Sequence, residues 1–143
     1  MLAPQQPGIP VPTPSWRLTP YWEGCRRGEL LHFRCPACSH AEPRPFGLCS
    51  RCGGDAGAWV AGGGRGRLYS WTVVWRPQHP TFSVPYAPAV VELDEGYFMM
   101  SAVIGCEPED LRTGMRLEVD FHPASSDIVL PYFRPGPDDL PAG

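Results

Sequence analysis

Four of the six cysteines stand as two CxxC pairs, Cys35 with Cys38 and Cys49 with Cys52, with ten residues between the pairs. Each pair occupies a turn-forming segment, CPACSH or CSRCGG. Four cysteines at this spacing predict a tetrahedral thiolate site of the kind that Zn²⁺ prefers. Four protein ligands complete the coordination sphere and leave no position for water or substrate. The predicted zinc is therefore structural and not catalytic.

Disulfides are the alternative reading of the same residues. Six cysteines in 143 residues would also suit two disulfides in a secreted domain. The first residues, MLAPQQPGIPVPTPSW, lack the basic start and apolar segment of a secretory signal. This favours a metal site and a cytoplasmic protein. His40, two residues after Cys38, is expected outside the ligand set because four thiolates already complete it.

The charge balance restricts the classes of partner. The formal net charge is -3, and all 12 basic residues are arginines scattered among 15 acids. Nucleic-acid binding usually requires clustered basic residues, so this balance makes a nucleic-acid partner unlikely. A small anionic ligand held by two or three arginines remains compatible with it. No segment approaches the roughly 20 apolar residues of a membrane span.

Residues 1–61 divide into a tail and a ribbon. Residues 1–18 are rich in proline and predict an extended tail that buries almost nothing. Thr19 and Pro20 predict the N-cap and first position of a short helix over 20–27, ended by Gly28. That helix and the cysteine pairs form the predicted second region, 19–61. Two aromatic residues in the helix are candidates for packing on the core or on a partner: Tyr21 and Trp22.

The following region, 62–135, is predicted to be a five-stranded OB-fold barrel. In MRLEVDFH the apolar residues alternate with polar ones, the period-two pattern of a half-buried strand. LYSWTVVW, YAPAVVELD, YFMMSAVIG and DIVLPYF give four more strands, and EPEDLRTG gives a helical turn between the third and fourth. Five strands with that insert match OB-fold connectivity. The predicted fold class is therefore mainly β, with a C-terminal tail at 136–143.

Longer segments of the chain resemble a known family. The segments are PYWEGCRRGELLHFRCPAC, CSRCGG, GRGRLYSWTVVWRPQHPTFSVPYAPAVVELDEG, IGCEPEDLRTGMRLEVDF and VLPYFRPG. In this order and spacing they resemble the zinc-ribbon plus OB-fold acyl-CoA-associated family, long catalogued as a domain of unknown function. The resemblance runs from about residue 20 to residue 135. Ser39 departs from it, at a position where the family often has glycine.

The resemblance implies an accessory role. Members are similar to partners of thiolases and of lipid-transfer-protein-type aldolases, which cleave steroid side-chain acyl-CoA thioesters. Some members are fused to MaoC-like hydratase domains. The implied function is a non-catalytic zinc-binding subunit in a hetero-oligomer, which docks on a thiolase-like aldolase or thiolase and helps to form its acyl-CoA site. In the family the barrel is thought to face the acyl-CoA tunnel, while the ribbon and N-terminal helix dock on the catalytic subunit.

Candidate binding residues lie in a long loop and among the arginines. The loop WRPQHPTFSVPYAP is stiffened by prolines and carries aromatic residues, which favours either a ligand lid or a partner contact. Aromatic packing across the open end of the barrel is the alternative. The candidates in this loop are Trp75, His79, Phe82 and Tyr86, and the arginines that could contact CoA phosphates are Arg65, Arg67 and Arg76.

Independent catalysis and nucleic-acid binding are the competing functions. Outside the two CxxC pairs the cysteines are Cys25 and Cys106, and neither has a base beside it in sequence. A free-standing enzyme is therefore not predicted. A single-stranded nucleic-acid-binding module would stack bases on Tyr69, Trp71 and Trp75, at same-face positions of one strand. The acidic balance counts against that alternative.

Overall fold

The computed structural model of the protein describes residues 1–137. All but the first two residues of the predicted C-terminal tail, 136–143, therefore lie outside the described residues. Within the described range the chain is mainly β, as predicted, with one α-helix, two 3-10 turns and eight strands.

The cysteine pairs belong to a small antiparallel sheet. Its three strands are β1 (Leu31–Arg34), β2 (Ala41–Glu42) and β3 (Ala58–Ala61), in the order β2-β1-β3. The first CxxC pair follows β1, and the second lies between β2 and β3. Because β1 is the central strand, it anchors both cysteine turns. This arrangement is the predicted ribbon.

Helix α1 (Thr19–Arg27) precedes the ribbon and ends at Gly28, whose φ of 77° lies in the left-handed region. Both features agree with the sequence prediction. The predicted cap does not form, because a 3-10 turn over Trp16–Leu18 leads directly into the helix. Thr19 is therefore its first residue, and its hydroxyl donates to the Ser15 carbonyl at 3.4 Å.

The second sheet closes into the predicted five-stranded barrel, in the order β4-β5-β6-β8-β7. A turn at 94–96 joins β5 to β6, and the 3-10 turn Pro108–Asp110 separates β6 from β7. The seam between β6 and β8 is the weakest, with one paired position, Val103 with Phe133. The strands are β4 (Arg65–Trp71), β5 (Ala87–Leu93), β6 (Phe98–Val103), β7 (Arg116–Pro123) and β8 (Val129–Pro135).

Ribbon and barrel share one apolar core. Alternate residues of the barrel strands point inward, and Phe133 and Val91 are completely buried. Two residues from the ribbon side, Leu30 and Ala41, belong to the same cluster. Tyr21 of α1 packs against it from outside. The ribbon is therefore attached to the barrel by buried apolar surface as well as by the chain.

The N-terminal tail differs from the prediction that it buries almost nothing. Leu2 is 1% exposed, and its backbone exchanges two hydrogen bonds of 2.8 Å with Gly105 and Cys106. Ile9 is also buried, in a second cluster with Ala124 and Ile128. Proline-rich composition predicted the extended conformation but not the two apolar anchors, Leu2 and Ile9. The tail lies on the barrel of its own chain.

Replacement of Leu2 tests whether the tail is part of the core. Leu2→Ala should lower the free energy of unfolding by about 2 kcal/mol, because buried leucine truncations cost roughly 2–5 kcal/mol and a terminal segment can partly relax. Val11→Ala, at an exposed tail position, is the matched control and should change it by less than about 0.5 kcal/mol. Urea denaturation measures both. Equal effects of the two substitutions would contradict this account of the tail.

Candidate metal centre and apolar cavity

The sulfurs of Cys35, Cys38, Cys49 and Cys52 all lie within 4.8 Å of one another. The Cys35 and Cys52 sulfurs are 3.6 Å apart, as are those of Cys38 and Cys49. A tetrahedral ion with metal–sulfur bonds of about 2.3 Å places its sulfurs about 3.8 Å apart, so the cluster fits a metal ion. All six cysteines of the chain are free, so the disulfide alternative does not describe this structure.

Both cysteine turns have the same backbone design. The N–H of Ser39 donates to the Cys35 carbonyl, and that of Gly53 donates to the Cys49 carbonyl, each at 2.9 Å. The residue after each pair has a positive φ, 63° at Ser39 and 75° at Gly53. Glycine adopts this conformation without strain, whereas serine does so at a cost. Serine at position 39, where the family often has glycine, therefore makes the turn less stable but leaves the four cysteine ligands in place.

The electrostatics of the cluster also favour a cation. Backbone amides, first that of Cys52 and then that of Arg51, lower the pKa of the Cys49 thiol to about 7. The Gly54 amide lowers the pKa of Cys52, but hydrogen bonds with the neighbouring thiols, Cys38 first, outweigh it and raise this pKa to about 12. Four thiols this close cannot all ionise unless a cation offsets their charge. Metal binding at this cluster must therefore release protons.

His40 lies beside the cluster and outside the ligand set, as expected. Its Nε2 is 3.3 Å from the Ser50 hydroxyl and 3.5 Å from the Glu42 carboxylate. Ser50 donates both its hydroxyl and its backbone N–H to Glu42, the latter at 3.0 Å. A serine, a histidine and a carboxylate thus meet, but the carboxylate holds the serine itself and does not orient the imidazole from Nδ1. This arrangement secures the second cysteine turn and lacks the order of a catalytic triad.

An apolar cavity of about 370 Å³ lies outside the barrel, across the seam between β6 and β8. Met100 and Ala102 of β6 and Leu130 and Pro131 of β8 line its floor. Its wall and roof come from α1, the tail and the long loop after β4. Cavities of this size can enclose a small ligand. The remaining lining residues are Ala3, Gln5, Ile9, Pro10, Tyr21, Trp22, Phe82, Tyr86, Pro88, Ser101, Val103 and Tyr132.

Gln5 joins the tail to the long loop at this cavity. Its side-chain amide donates to the Ser83 carbonyl at 2.9 Å, and its side-chain oxygen accepts from the Ser83 N–H at 2.7 Å. The backbone N–H of Gln5 also donates to the Tyr132 hydroxyl at 3.1 Å. Three hydrogen bonds therefore hold one tail residue between the loop and β8. The tail is a fixed part of the cavity wall.

The predicted loop residues separate into two groups. Phe82 and Tyr86 stack at 5.7 Å and line the cavity, where Tyr21 and Trp22 join them from α1. Trp75 and Arg76 are exposed and do not line it. His79 is exposed too, with its Nδ1 2.7 Å from the Thr81 hydroxyl. The structure thus brings together four of the predicted aromatic residues, at a site that the tail completes.

Two of the predicted arginines lie elsewhere. Arg65 and Arg67 stand at the first end of β4, whereas the long loop begins after its last residue, Trp71. Six residues of extended strand span roughly 20 Å, so Arg65 stands well away from the point where the loop begins. The Arg67 guanidinium donates to the Gly114 carbonyl at 2.9 Å. Arg76 is exposed in the loop itself, so a CoA-phosphate contact by these three arginines stays a prediction.

The proposed stacking platform for nucleic acid is also absent from the described residues. The register of β4 against β5 shifts between Leu68 and Ser70, and this bulge resets the inward and outward alternation. Tyr69 is exposed, whereas Trp71 packs against the core. Trp75 lies beyond the strand. The three aromatic residues therefore do not share one face, and the same-face prediction was wrong.

Sequence reasoning missed a second apolar surface. Phe98 and Met100 point outward from β6, and Met100 is 79% exposed. Tyr69 contacts Phe98 edge-on at 5.0 Å. A groove of about 450 Å³ runs from Phe46 of the ribbon to Met100 and meets the first cavity there. The available signal was the run YFMMSAVIG, which is apolar at both alternating sets of positions, although only one set can enter the barrel.

The remaining thiols, Cys25 and Cys106, are buried. Cys25 is 1% exposed, and burial raises its pKa to about 11. Burial, with Asp110 and Glu107 nearby, also raises the pKa of Cys106. A thiol with a raised pKa is a poor nucleophile. Neither cysteine provides a reactive group.

The geometry agrees with the known proteins that this chain resembles. The family model described as "ChsH2, C-terminal OB-fold domain" matches residues 59–122. A solved structure described as "Ltp2-ChsH2(DUF35) aldolase" is 32% identical, with a TM-score of 0.79 over 87% of this chain and 98% of that chain. This chain belongs to the DUF35 family. The family resemblance is thereby confirmed.

Two curated relatives extend the comparison. A "Probable enoyl-CoA hydratase alpha subunit" of Thermomonospora curvata is 34% identical over 133 residues, which are 92% of this chain and 42% of that protein. The chain thus spans about two fifths of the length of this relative. A "DUF35 domain-containing scaffold protein" of Methanocaldococcus jannaschii is 28% identical over 68% of this chain and 71% of that protein.

No helix among residues 1–137 is long and apolar enough to cross a membrane.

The paired turns allow a test of the backbone argument. Ser39→Gly should raise the free energy of unfolding slightly, by less than about 1 kcal/mol, because relief of the positive-φ strain is partly offset by unfolded-state entropy. Gly53→Ser introduces the same strain at the equivalent position and should lower it by about 1 kcal/mol. The space beside Gly53 is open, so no clash contributes. Thermal or urea unfolding of the metal-loaded protein measures both, and effects of the same sign would contradict the equivalence of the turns.

Proposed function

We propose that this DUF35 protein is a non-catalytic accessory subunit that docks on a thiolase-like aldolase or thiolase and helps to form its acyl-CoA site. The observation that carries the proposal is the 32% identity and TM-score of 0.79 to a chain of the Ltp2-ChsH2(DUF35) aldolase, nearly all of which this chain covers. The reaction class that this relative suggests is retro-aldol cleavage of an acyl-CoA thioester, with the steroid side chain as the candidate acyl group.

The described side chains support a helper role better than a catalytic one. The buried thiols have raised pKa values, and the contact of Ser50, His40 and Glu42 lacks the order of a triad. In our proposal the partner supplies the catalytic base and the groups that stabilise the developing oxyanion. This chain contributes apolar surface that shapes the acyl pocket and fixes the partner's fold.

The docking surface in this proposal is the apolar side of the barrel next to α1. Met100, Phe98 and Tyr69 are exposed there, beside the groove that reaches the ribbon. Large exposed apolar patches commonly mark contact sites between proteins. The cavity under α1 adjoins this surface, so a partner seated on it would lie next to the cavity that holds Phe82 and Tyr86.

A hydratase is the second partner in the proposal. The Thermomonospora relative bears a hydratase name, and this chain matches 42% of it. A MaoC-like hydratase domain, fused to this chain or bound to it, would account for the remainder of such a protein. The enoyl-CoA hydratase and the aldolase would then act on the same class of thioester.

The metal in this proposal is one structural Zn²⁺, held by Cys35, Cys38, Cys49 and Cys52. Four thiolates, with no open coordination position, are the ligand set of structural zinc sites. Such an ion would contribute folding free energy to a ribbon whose own apolar core is small. It would supply no Lewis acid to a reaction.

Metal analysis tests the zinc assignment. The purified protein should contain one Zn²⁺ per chain by elemental analysis, and Cys52→Ser should lower the content below about one tenth. Cys25→Ser, at a buried thiol outside the cluster, is the control and should retain full zinc content. Zinc affinity should fall as the pH is lowered from 8 to 6, because the thiols must lose protons to bind. Full zinc content in Cys52→Ser would contradict the assignment.

Co-expression with a thiolase-like aldolase tests the function. The aldolase should be soluble and active with this chain present, and should lose most of both properties without it. Met100→Glu should reduce co-purification at least about ten-fold, since it places a charge in the apolar docking surface. Thr113→Glu adds the same charge at an exposed position before β7, which does not pair with β6, and should leave assembly unchanged.

An aldolase that is equally soluble and active alone would refute the accessory role. Normal assembly of the Met100→Glu variant would refute only the choice of docking surface. Thioester cleavage by the isolated chain would also refute the non-catalytic assignment.

A further inference from the structure

The edge of β6 that faces β8 is largely unpaired. β5 pairs with β6 along its whole length, from Phe98 to Val103, whereas β8 pairs with it at Val103 alone. The hydrogen bonds of an antiparallel pair alternate along each strand. The Leu93 N–H donates to the Tyr97 carbonyl at 2.8 Å, so every second residue of β6, counted from Tyr97, bonds to β5. Phe98 and Met100 therefore direct their N–H and C=O groups away from β5.

Pro131 explains why β8 does not continue along this edge. The Ile104 N–H donates to the Phe133 carbonyl at 2.8 Å, so Phe133 turns its backbone groups toward β6, and so does Pro131 two residues earlier. Continuation of the parallel ladder would require Pro131 to donate an N–H to the Met100 carbonyl, and proline has no N–H. The Pro131 carbonyl instead accepts from the Ser101 hydroxyl at 2.7 Å. A proline at this position therefore keeps the β6 edge open.

The open edge offers the backbone N–H and C=O groups of Phe98 and Met100. No other strand within residues 1–137 pairs with these groups. The side chains of both residues are exposed. Proteins usually protect an open strand edge with charged residues or proline, because an open apolar edge is a template for pairing with another chain. The sequence of β6, FMMSAV, contains neither kind of protection.

The groove of about 450 Å³ next to this edge has a composition that suits a peptide segment. It is lined by α1, by residues 97–100 and by the ribbon. Arg44, which is exposed and lies 5.2 Å from the Phe46 ring, brings a positive charge to the ribbon end. The other lining residues are apolar or aromatic. A segment with apolar side chains and an acidic residue near the ribbon would therefore complement the groove.

We propose, on the basis of the accessory function above, that an extended segment of the partner aldolase adds to the open edge of β6 in this groove as one more strand of the sheet. Its backbone bonds to the open N–H and C=O groups of Phe98 and Met100, which gives affinity without a fixed sequence. Side chains opposite these two residues share their outer face, so they are apolar. An acidic residue at the ribbon end of the segment faces Arg44.

Hydrogen exchange of the full chain, free and in its co-purified complex with the aldolase, is the first test. In the free chain the Phe98 and Met100 amides should exchange quickly, whereas those of Met99 and Ser101, which bond to β5, should be protected. In the complex, exchange of the first two should slow at least about ten-fold, because their protons enter new hydrogen bonds. A contact through side chains alone leaves these amides unbonded. A smaller change in the complex would overturn the strand addition.

Met100→Pro is the second test, because it removes one open N–H and leaves the β5 side of the strand intact. Proline is tolerated at strand positions whose N–H faces away from the neighbouring strand. The matched control, Met100→Ala, removes the same side chain and keeps the N–H. In co-expression, Met100→Pro should yield at least about ten-fold less complex than Met100→Ala, since it loses a hydrogen bond and blocks the approach of a strand. Equal yields would contradict a backbone contact.

The outcomes separate this contact from the accessory function itself. If the free Met100→Pro variant lost its fold, as far-UV circular dichroism would show, the exchange measurement would still decide the matter. Dimers of the free chain with the same amides protected would assign the edge to a second copy and overturn the proposal. A complex in which the Phe98 and Met100 amides still exchange quickly would refute strand addition alone. Failure of the aldolase to co-purify would refute the accessory function, and strand addition with it.

Discussion

The convergence of four sulfur atoms is the constraint on which the N-terminal half of the molecule depends. The ribbon strands are short, β2 has only two residues, and β3 is mostly exposed. So small a sheet buries too little apolar surface to hold its loops in place by packing alone. The cysteine cluster joins two turns, one after β1 and one before β3, that the strands themselves do not hold together. A cation at this point would therefore determine the shape of the ribbon.

The ribbon in turn positions elements that act on the barrel. Leu30, just before β1, enters the common core, and α1 immediately before it covers the cavity with Tyr21 and Trp22. The barrel provides that cavity at the seam where β6 and β8 pair at only one position. The tail and the long loop fill the opening from the other side, joined through Gln5. The cavity is thus built from four segments that are distant in sequence.

Local signals in the sequence predicted the elements well, and long-range pairing explains what they missed. The CxxC spacing, the alternation in MRLEVDFH and the glycine after α1 each describe a few neighbouring residues. The convergence of four sulfurs, the half-buried strand and the helix end that they predict are each confirmed. The anchoring of Leu2 depends on Gly105 and Cys106, more than one hundred residues away. The bulge at Tyr69 depends on the register against β5, which alternation alone cannot reveal. The composition of the tail indicated its extended conformation but not the part of the barrel on which it packs.

The distribution of apolar surface explains why such a chain suits an assembly. Phe98 and Met100 lie on the outer face of β6 and are exposed to water. Packing of the barrel interior does not require large apolar residues at these two positions. Exposure of that kind costs solubility unless another surface covers it. The cavity beside it is lined mostly by apolar and aromatic side chains. None of the residues that line it is charged, so a site of this composition can select an apolar group.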